Sequence, residues 1–198
     1  KKTHYKSNFK VEYIMKRISK QATKSTHTAF LVIDKKLIDE KTKHANDNER
    51  QREIHAFHDR DEAILHRMLN AIQPKSYIVP HRHLKDPKEE TIIILKGSLG
   101  CVCFNDDGSI IQDSVCYLSR KSNQIGIDLR AGVWHTIFAL EPDTAVFEVK
   151  SGPYTKSIDK EFATWAPSEN SEESLAYLAK LEDLVRDKFG LEKRAWRF

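Results

Sequence analysis

The chain has 198 residues, 39% of them apolar and 31% charged, which suits one soluble globular domain with appendages better than two full domains. Its 33 basic and 29 acidic side chains leave a formal charge of +4; that near balance, with basic concentrations only at the two ends, argues against a nucleic-acid partner. No apolar run approaches the roughly 20 residues of a membrane span, and the opening KKTHYKSNFKVEYIMKRISK lacks the compact apolar stretch of a secretory signal, so a cytoplasmic protein without membrane contact is expected.

Residues 1–29 are polar with scattered aromatics and read as a poorly ordered lead-in. From Phe30 the run FLVID leads into a segment in which Leu37, Ile38, Lys41 and His44 fall at helical spacing, with Asp34 placed to cap it. A second helix is expected over 61–72, DEAILHRMLNAI, because Ile64, Leu65, Met68, Leu69 and Ile72 recur at i, i+4 and i+8. Pro74 would close it. His55 and His58, just before that segment, read as helix-surface histidines.

After Pro74 the period changes to two. SYIVPHRH, ETIIILKGSLGCVCFN, SIIQDSVCYL, QIGIDL, VWHTIFAL and TAVFEVK are short, rich in β-branched and aromatic residues, and punctuated by KG, DDG, AG and EPD. Closely spaced strands of this kind suggest an antiparallel sandwich or small barrel. Cys101 and Cys103 share one face of such a strand and read as small buried hydrophobes; with Cys116 they make an odd count, unlike a disulfide framework. Beyond Lys150 the chain turns irregular before an amphipathic helix from about residue 172 to 189. Asn170 or Ser171 would cap it, and Leu175, Leu178, Leu181, Leu184 and Val185 form its apolar stripe. That stripe would pack on the barrel or on a second subunit.

The chemistry concentrates in a few residues. Alternation along a strand puts His81 and His83 on one face and Arg82 on the other, so both imidazoles can grip one ion. Glu90 opens the next strand and offers carboxylate oxygen, a natural third ligand beside imidazole. His135 follows the AGVW turn, where a barrel could bring it across from the first pair. Parity also places Tyr77 on the histidine face, with its phenol turned toward a cavity. In TAVFEVK, Val146, Glu148 and Lys150 share a face. Glu148 and Lys150 are an acid/base or substrate-charge pair if that face looks inward, and ordinary surface charges if it looks outward; the sequence weighs the two equally.

The spacing of these residues resembles the two signature motifs of the cupin superfamily. HRHLKDPKEETIIILKG carries the histidine pair, the glutamate, six residues and Gly97; RAGVWH carries Gly132 and, three residues later, His135. The loop before Glu90 is longer than usual, Arg130 stands where the turn proline is expected, and Ala139 replaces a terminal asparagine. None of these departures removes a ligand. A closer resemblance, over about residues 30–169, is to WbuC-type cupin fold metalloproteins, carried by MLNAIQPKSYIVPHRH and FEVKSGPYTKSIDKEFATWAPSE.

The resemblance implies a mainly β fold, a single cupin-type antiparallel β-barrel, or jelly roll, over 30–169; the N-terminal helical segments and the C-terminal helical extension over 170–198 are read from periodicity, and the extension lies outside the resemblance. The resemblance also implies one divalent ion (Fe, Zn, Mn, Ni or Co) on His81, His83, Glu90 and His135; Glu148, Tyr77 and Lys150 are the catalytic candidates that strand parity supplies. The expected activity is that of a metal-dependent enzyme on a small-molecule ligand, an isomerase or epimerase or an Fe(II) oxygenase. WbuC-type proteins are associated with surface-polysaccharide gene clusters, which brings in a sugar or sugar nucleotide. A non-catalytic ligand-binding or sensory cupin, or a protein with a mainly structural metal, is the alternative. Pairing through a sheet edge makes a homodimer the expected assembly.

Overall fold

A computed structural model describes residues 15–27, 29–85 and 87–196 of the chain. The described residues form β1 (Met15–Ser19), β2 (Ala22–Ser25), α1 (Lys35–Asn46), β3 (Arg52–Ala56), β4 (Leu65–Ile72), β5 (His81–Arg82) and β6 (Glu90–Lys96). These are followed by β7 (Ser98–Phe104), β8 (Cys116–Ser119), β9 (Gly126–Leu129), β10 (Trp134–Ala139), β11 (Thr144–Ser151), β12 (Glu161–Phe162) and α2 (Ser174–Phe189). Neither helix is long and apolar enough to cross a membrane.

The strands divide between two sheets, one in the order β1-β2-β3-β4-β11-β6-β9 and one in the order β12-β5-β10-β7-β8. From β6 onward the chain passes repeatedly from one sheet to the other, the winding of a double-sheet jelly roll. All pairings are antiparallel except β2 with β3. The crossing from β6 to β7 occurs at Gly97, whose φ of +71° breaks what reads as one long strand in two. Between the sheets lie Ile72, Ile92, Ile94, Leu99, Leu118, Ile137 and Val146, all buried. Each such side chain contributes roughly 1.5–3 kcal/mol by leaving water.

Helices cover both outer faces. Asp34 caps α1 as its sequence suggests, accepting from the Leu37 amide at 3.0 Å, and Leu37 packs with Phe57, Leu69 and Ala145 over the larger sheet. The stripe of α2 packs through Leu178, Leu181 and Val185 against Val102, Phe104 and Phe138 of the smaller sheet and Val115 just before β8. The stripe therefore lies on the protein's own sheet. Helix α2 begins at Ser174 with no side-chain cap; neither Asn170 nor Ser171 serves as one.

Three expectations are corrected. The segment expected as a helix over 61–72 is a turn followed by β4, which pairs with β3 on one side and β11 on the other. Helix α1 covers one face of β4 and the interior covers the other, so apolar residues occupy both parities and imitate a helical period. Ile64, counted in that period, is 89% exposed. His55 and His58 are accordingly buried, His55 on β3 with Nδ1 at 2.9 Å from Thr23 Oγ1 and His58 stacked on His66 at 4.0 Å. The lead-in is partly ordered: residues 15–25 form the β1–β2 hairpin, which extends the larger sheet, while residues 1–14 lie outside the described residues. Polar contacts hold it there. Arg17 lies 3.4 Å from the buried Glu53, which also sits 3.5 Å from the buried Lys41.

Candidate metal centre

His81 lies on β5 directly opposite His135 on β10, and both face the space between the sheets. His83 follows β5, and its carbonyl accepts from the Gly132 amide at 3.0 Å. Gly132 adopts φ +83°, so the turn of the second motif is bonded directly to the end of the first. Glu90 opens β6, with its side chain on the inner face beside Ile92. One ligand atom from each of His81, His83, Glu90 and His135 falls within 4.8 Å of all the others, and all four residues are buried.

The histidine orientations are fixed from behind. Nδ1 of His81 donates to Val79 O at 3.0 Å, Nδ1 of His135 to Val133 O at 2.9 Å, and Nδ1 of His83 to Asp159 O. A carbonyl can only accept, so each Nδ1 carries a proton, the tautomer that leaves Nε2 as the nitrogen able to bind an ion. Nε2 of His83 is 3.0 Å from Glu90 Oε1, and Nε2 of His135 is 3.2 Å from Glu90 Oε2. Nε2 of His83 is buried without a hydrogen-bond partner. Acceptors facing acceptors at such distances repel unless positive charge lies between them. Burial, reinforced by Lys160 and His135, holds the His81 imidazole well below its ordinary pKa and so opposes charging that ring. The donor set of three imidazole nitrogens and one carboxylate oxygen could hold a divalent transition ion, and its chemistry suits Fe, Mn, Co, Ni or Zn better than Ca.

His81, Glu90 and His135 line a cavity of about 490 Å³, within the range of small-molecule sites. Ile72, Ile92, Ile137 and Val79 supply apolar wall; Glu148, Lys150 and Lys160 supply charge. The inward orientation of Glu148 and Lys150 follows from β11, whose other face carries Ala145 under α1. Glu148 accepts from Asn70 Nδ2. Burial, then the neighbouring Glu90, raises its pKa. Lys150 lies 3.4 Å from Glu90 Oε1 and 3.3 Å from Asp159 Oδ2. Burial alone would lower the Lys150 pKa, but Glu90, Glu148 and Asp159 together hold it above its ordinary value.

Tyr77 is placed elsewhere. Residues 75–80 are not a strand, so alternation does not apply to them. The Tyr77 hydroxyl donates to Pro167 O at 2.9 Å, and its ring meets Tyr177 of α2 edge-on at 6.1 Å. Arg82 points away from the cavity and binds Glu161 through Nε and Nη2, at 3.1 and 3.0 Å, over the Trp134 ring. Trp165 packs against Phe104 at 5.0 Å, whereas Tyr154 lines the cavity.

Sequence reasoning passed over three charged residues around the site. Lys88 is buried and lies 2.8 Å from Asp159 Oδ1. Asp159 binds His83 through its carbonyl and both Lys88 and Lys150 through its carboxylate. Lys160 lines the cavity. The signal was present in the block SIDKEFATW, which contains Asp159 and Lys160 within the region of closer resemblance.

Residues 33–116, which include His81, His83 and Glu90 but not His135, match a family model described as a domain of unknown function (DUF6016). No curated protein matches the chain. Among solved structures the chain is similar to protein SO0799 from Shewanella oneidensis, with TM-score 0.44 and 10% identity over 55% of this chain and 72% of that one. It is similar also to the capsular polysaccharide assembling protein CapF from Staphylococcus aureus, with TM-score 0.42 and 19% identity over 51% of this chain and 27% of that one. Oxalate decarboxylase from Bacillus subtilis gives TM-score 0.39 and 17% identity over 65% of this chain and 29% of that one.

Proposed function

We propose that this is a cupin-type metalloprotein whose divalent ion is held by His81, His83, Glu90 and His135, and that it acts as a metal-dependent enzyme on a small molecule. The observation that carries the reading is the set of three imidazoles whose Nδ1 protons are committed to backbone carbonyls while their Nε2 lone pairs converge on one carboxylate. Such backbone partners fix the tautomer and ring direction of metal-binding histidines. A bound ion with open positions supplies Lewis acidity, or redox chemistry if it is iron.

The chain's own groups divide the remaining work. Glu148, raised in pKa inside the cavity, is placed to hold or release a proton at the ligand. Lys150, already paired with Glu90 and Asp159, keeps the Glu90 carboxylate in position. The apolar walls limit water around the reacting group. The resemblance to WbuC-type proteins, carried by the two sequence blocks quoted above, makes sugars and sugar nucleotides the first substrates to screen.

Metal analysis of purified His81→Ala and His135→Ala tests the reading. Each variant is expected to lose most of its bound ion while far-UV circular dichroism stays that of the parent. Unchanged metal stoichiometry in both variants would refute the assignment.

A further inference from the structure

Lys160 is held over the metal centre by fastenings on either side. Asp159 binds His83 through its carbonyl, and Glu161 binds Arg82 through its carboxylate. On β12, Phe162 lies opposite His81 in register, with its ring 6.2 Å from the imidazole. Lys160 and Phe162 both line the cavity with His81, Glu90 and His135. This short strap therefore puts Lys160 in the wall of the same cavity.

That ammonium makes no hydrogen bond or ion pair to any described residue. Most of the other cations around the cavity are engaged: Lys88 by Asp159, Lys150 by Glu90 and Asp159, and Arg50 and Arg52 by Glu169 at the far end; Lys156, also in the wall, is exposed to solvent. Around the site, Glu90, Glu148 and Asp159 match Lys88, Lys150 and Lys160 in charge number. The two charges of a divalent ion would then be uncompensated in a half-apolar cavity. Desolvated charge of that kind calls for an anionic ligand.

We propose that Lys160 and the ion form a two-point receptor for the carboxylate group of a small organic acid. The proposal rests on the metal reading above and names the ligand class of the same site. A carboxylate can give one oxygen to the ion and the other to Lys160. A phosphate, with more oxygens and more charge, would find no free guanidinium fork among the described cavity residues. The walls formed by Ile72, Ile92, Ile137 and Val79 suit a short, largely apolar body behind the anionic head.

The test uses the full chain loaded with Co(II), whose visible absorption reports ligands entering its coordination sphere. Pyruvate, methyl pyruvate and inorganic phosphate are titrated into wild type, Lys160→Met, Lys160→Gln and Lys160→Arg, with cobalt content measured for each. Pyruvate is expected to shift the spectrum saturably, and its neutral ester to do so far more weakly. Both neutral variants should weaken pyruvate by about tenfold or more at unchanged cobalt content, the scale of a lost charge-assisted contact. Lys160→Arg should stay within about threefold of wild type, because the charge is kept. Pyruvate binding equally tightly to a cobalt-loaded neutral variant overturns the receptor, as does phosphate binding more tightly than pyruvate, or a loaded wild type blind to pyruvate. In each of those cases the metal reading survives. A wild-type chain that takes up no cobalt overturns both.

Discussion

Replacing Lys88 with Met tests whether Asp159 is the post on which the centre is built. The Lys88 ammonium is buried, lies 2.8 Å from Asp159 Oδ1, and also donates to Pro153 O. Removing one member of a buried ion pair costs about 3–5 kcal/mol, because the other charge is left behind. Here Lys150 remains 3.3 Å from the other Asp159 oxygen, which brings the electrostatic loss down to roughly 2 kcal/mol, and the abandoned Pro153 carbonyl adds about 1. For a chain of 198 residues, a loss of about 3 kcal/mol lowers Tm by roughly 6–12 °C. Differential scanning calorimetry at pH 7 measures it directly. The double variant Lys88→Met/Asp159→Asn should fall short of the summed single losses by about 2 kcal/mol, since the pair is destroyed only once. A single-variant loss below about 1 kcal/mol, or strict additivity in the double, would refute the reasoning.

Two further outcomes follow from the interior. Burial is the main cause holding the His55 imidazole down to about 4, with Lys41 and His27 adding to it and Glu53 opposing. Its folded pKa lies below its unfolded value of about 6.5. Stability is therefore complete above pH 6.5 and is lost as pH falls from there toward 4, by roughly 3 kcal/mol in all. Denaturant titrations at pH 7, 5.5 and 4.5 should show that loss, and His55→Leu should flatten the slope; an equal slope in the variant rejects the assignment. Gly100→Ala would drive a methyl group into the Phe138 ring between β7 and α2. Overpacking there should cost about 1–3 kcal/mol, read as a lower urea midpoint with unchanged metal content. A midpoint equal to that of the parent would mean the ring yields freely.

The sequence made the two ends of the problem legible and left the middle obscure. Strands over β6, β7, β10 and β11 stood out because one or both faces of each are apolar and turn residues bracket them. The four prospective ligands stood out because period-two spacing and two glycines place them. Residues 65–72 did not, since β4 is covered on both faces and its apolar residues fall at every parity. The β1–β2 hairpin was missed for the opposite reason: Arg17, Thr23 and Glu53 attach it through charge and hydrogen bonding, which leaves no apolar pattern to read. Tyr77 was misplaced by extending alternation into residues 75–80, where Lys75 takes φ +72° and the chain is not a strand.

What escaped most completely is the polarity of the histidine rings, which no side-chain pattern encodes. Each ring is aimed by a carbonyl: Val79 O for His81, Val133 O for His135 and Asp159 O for His83. Two of these belong to the residue two places before the histidine on the same segment, so they follow from local backbone geometry. The third comes from the strap that carries Lys160, after β11 and far along the chain. His83 is thus oriented by the same segment that brings Lys160 to the cavity, and the placement of β12 beside β5 couples the direction of the His83 ring to the position of the proposed anion contact. A substitution at Val79 or Val133 that preserves the carbonyl direction leaves the rings in place, whereas any change that shifts residues 159–161 disturbs a prospective metal ligand and the ammonium at once.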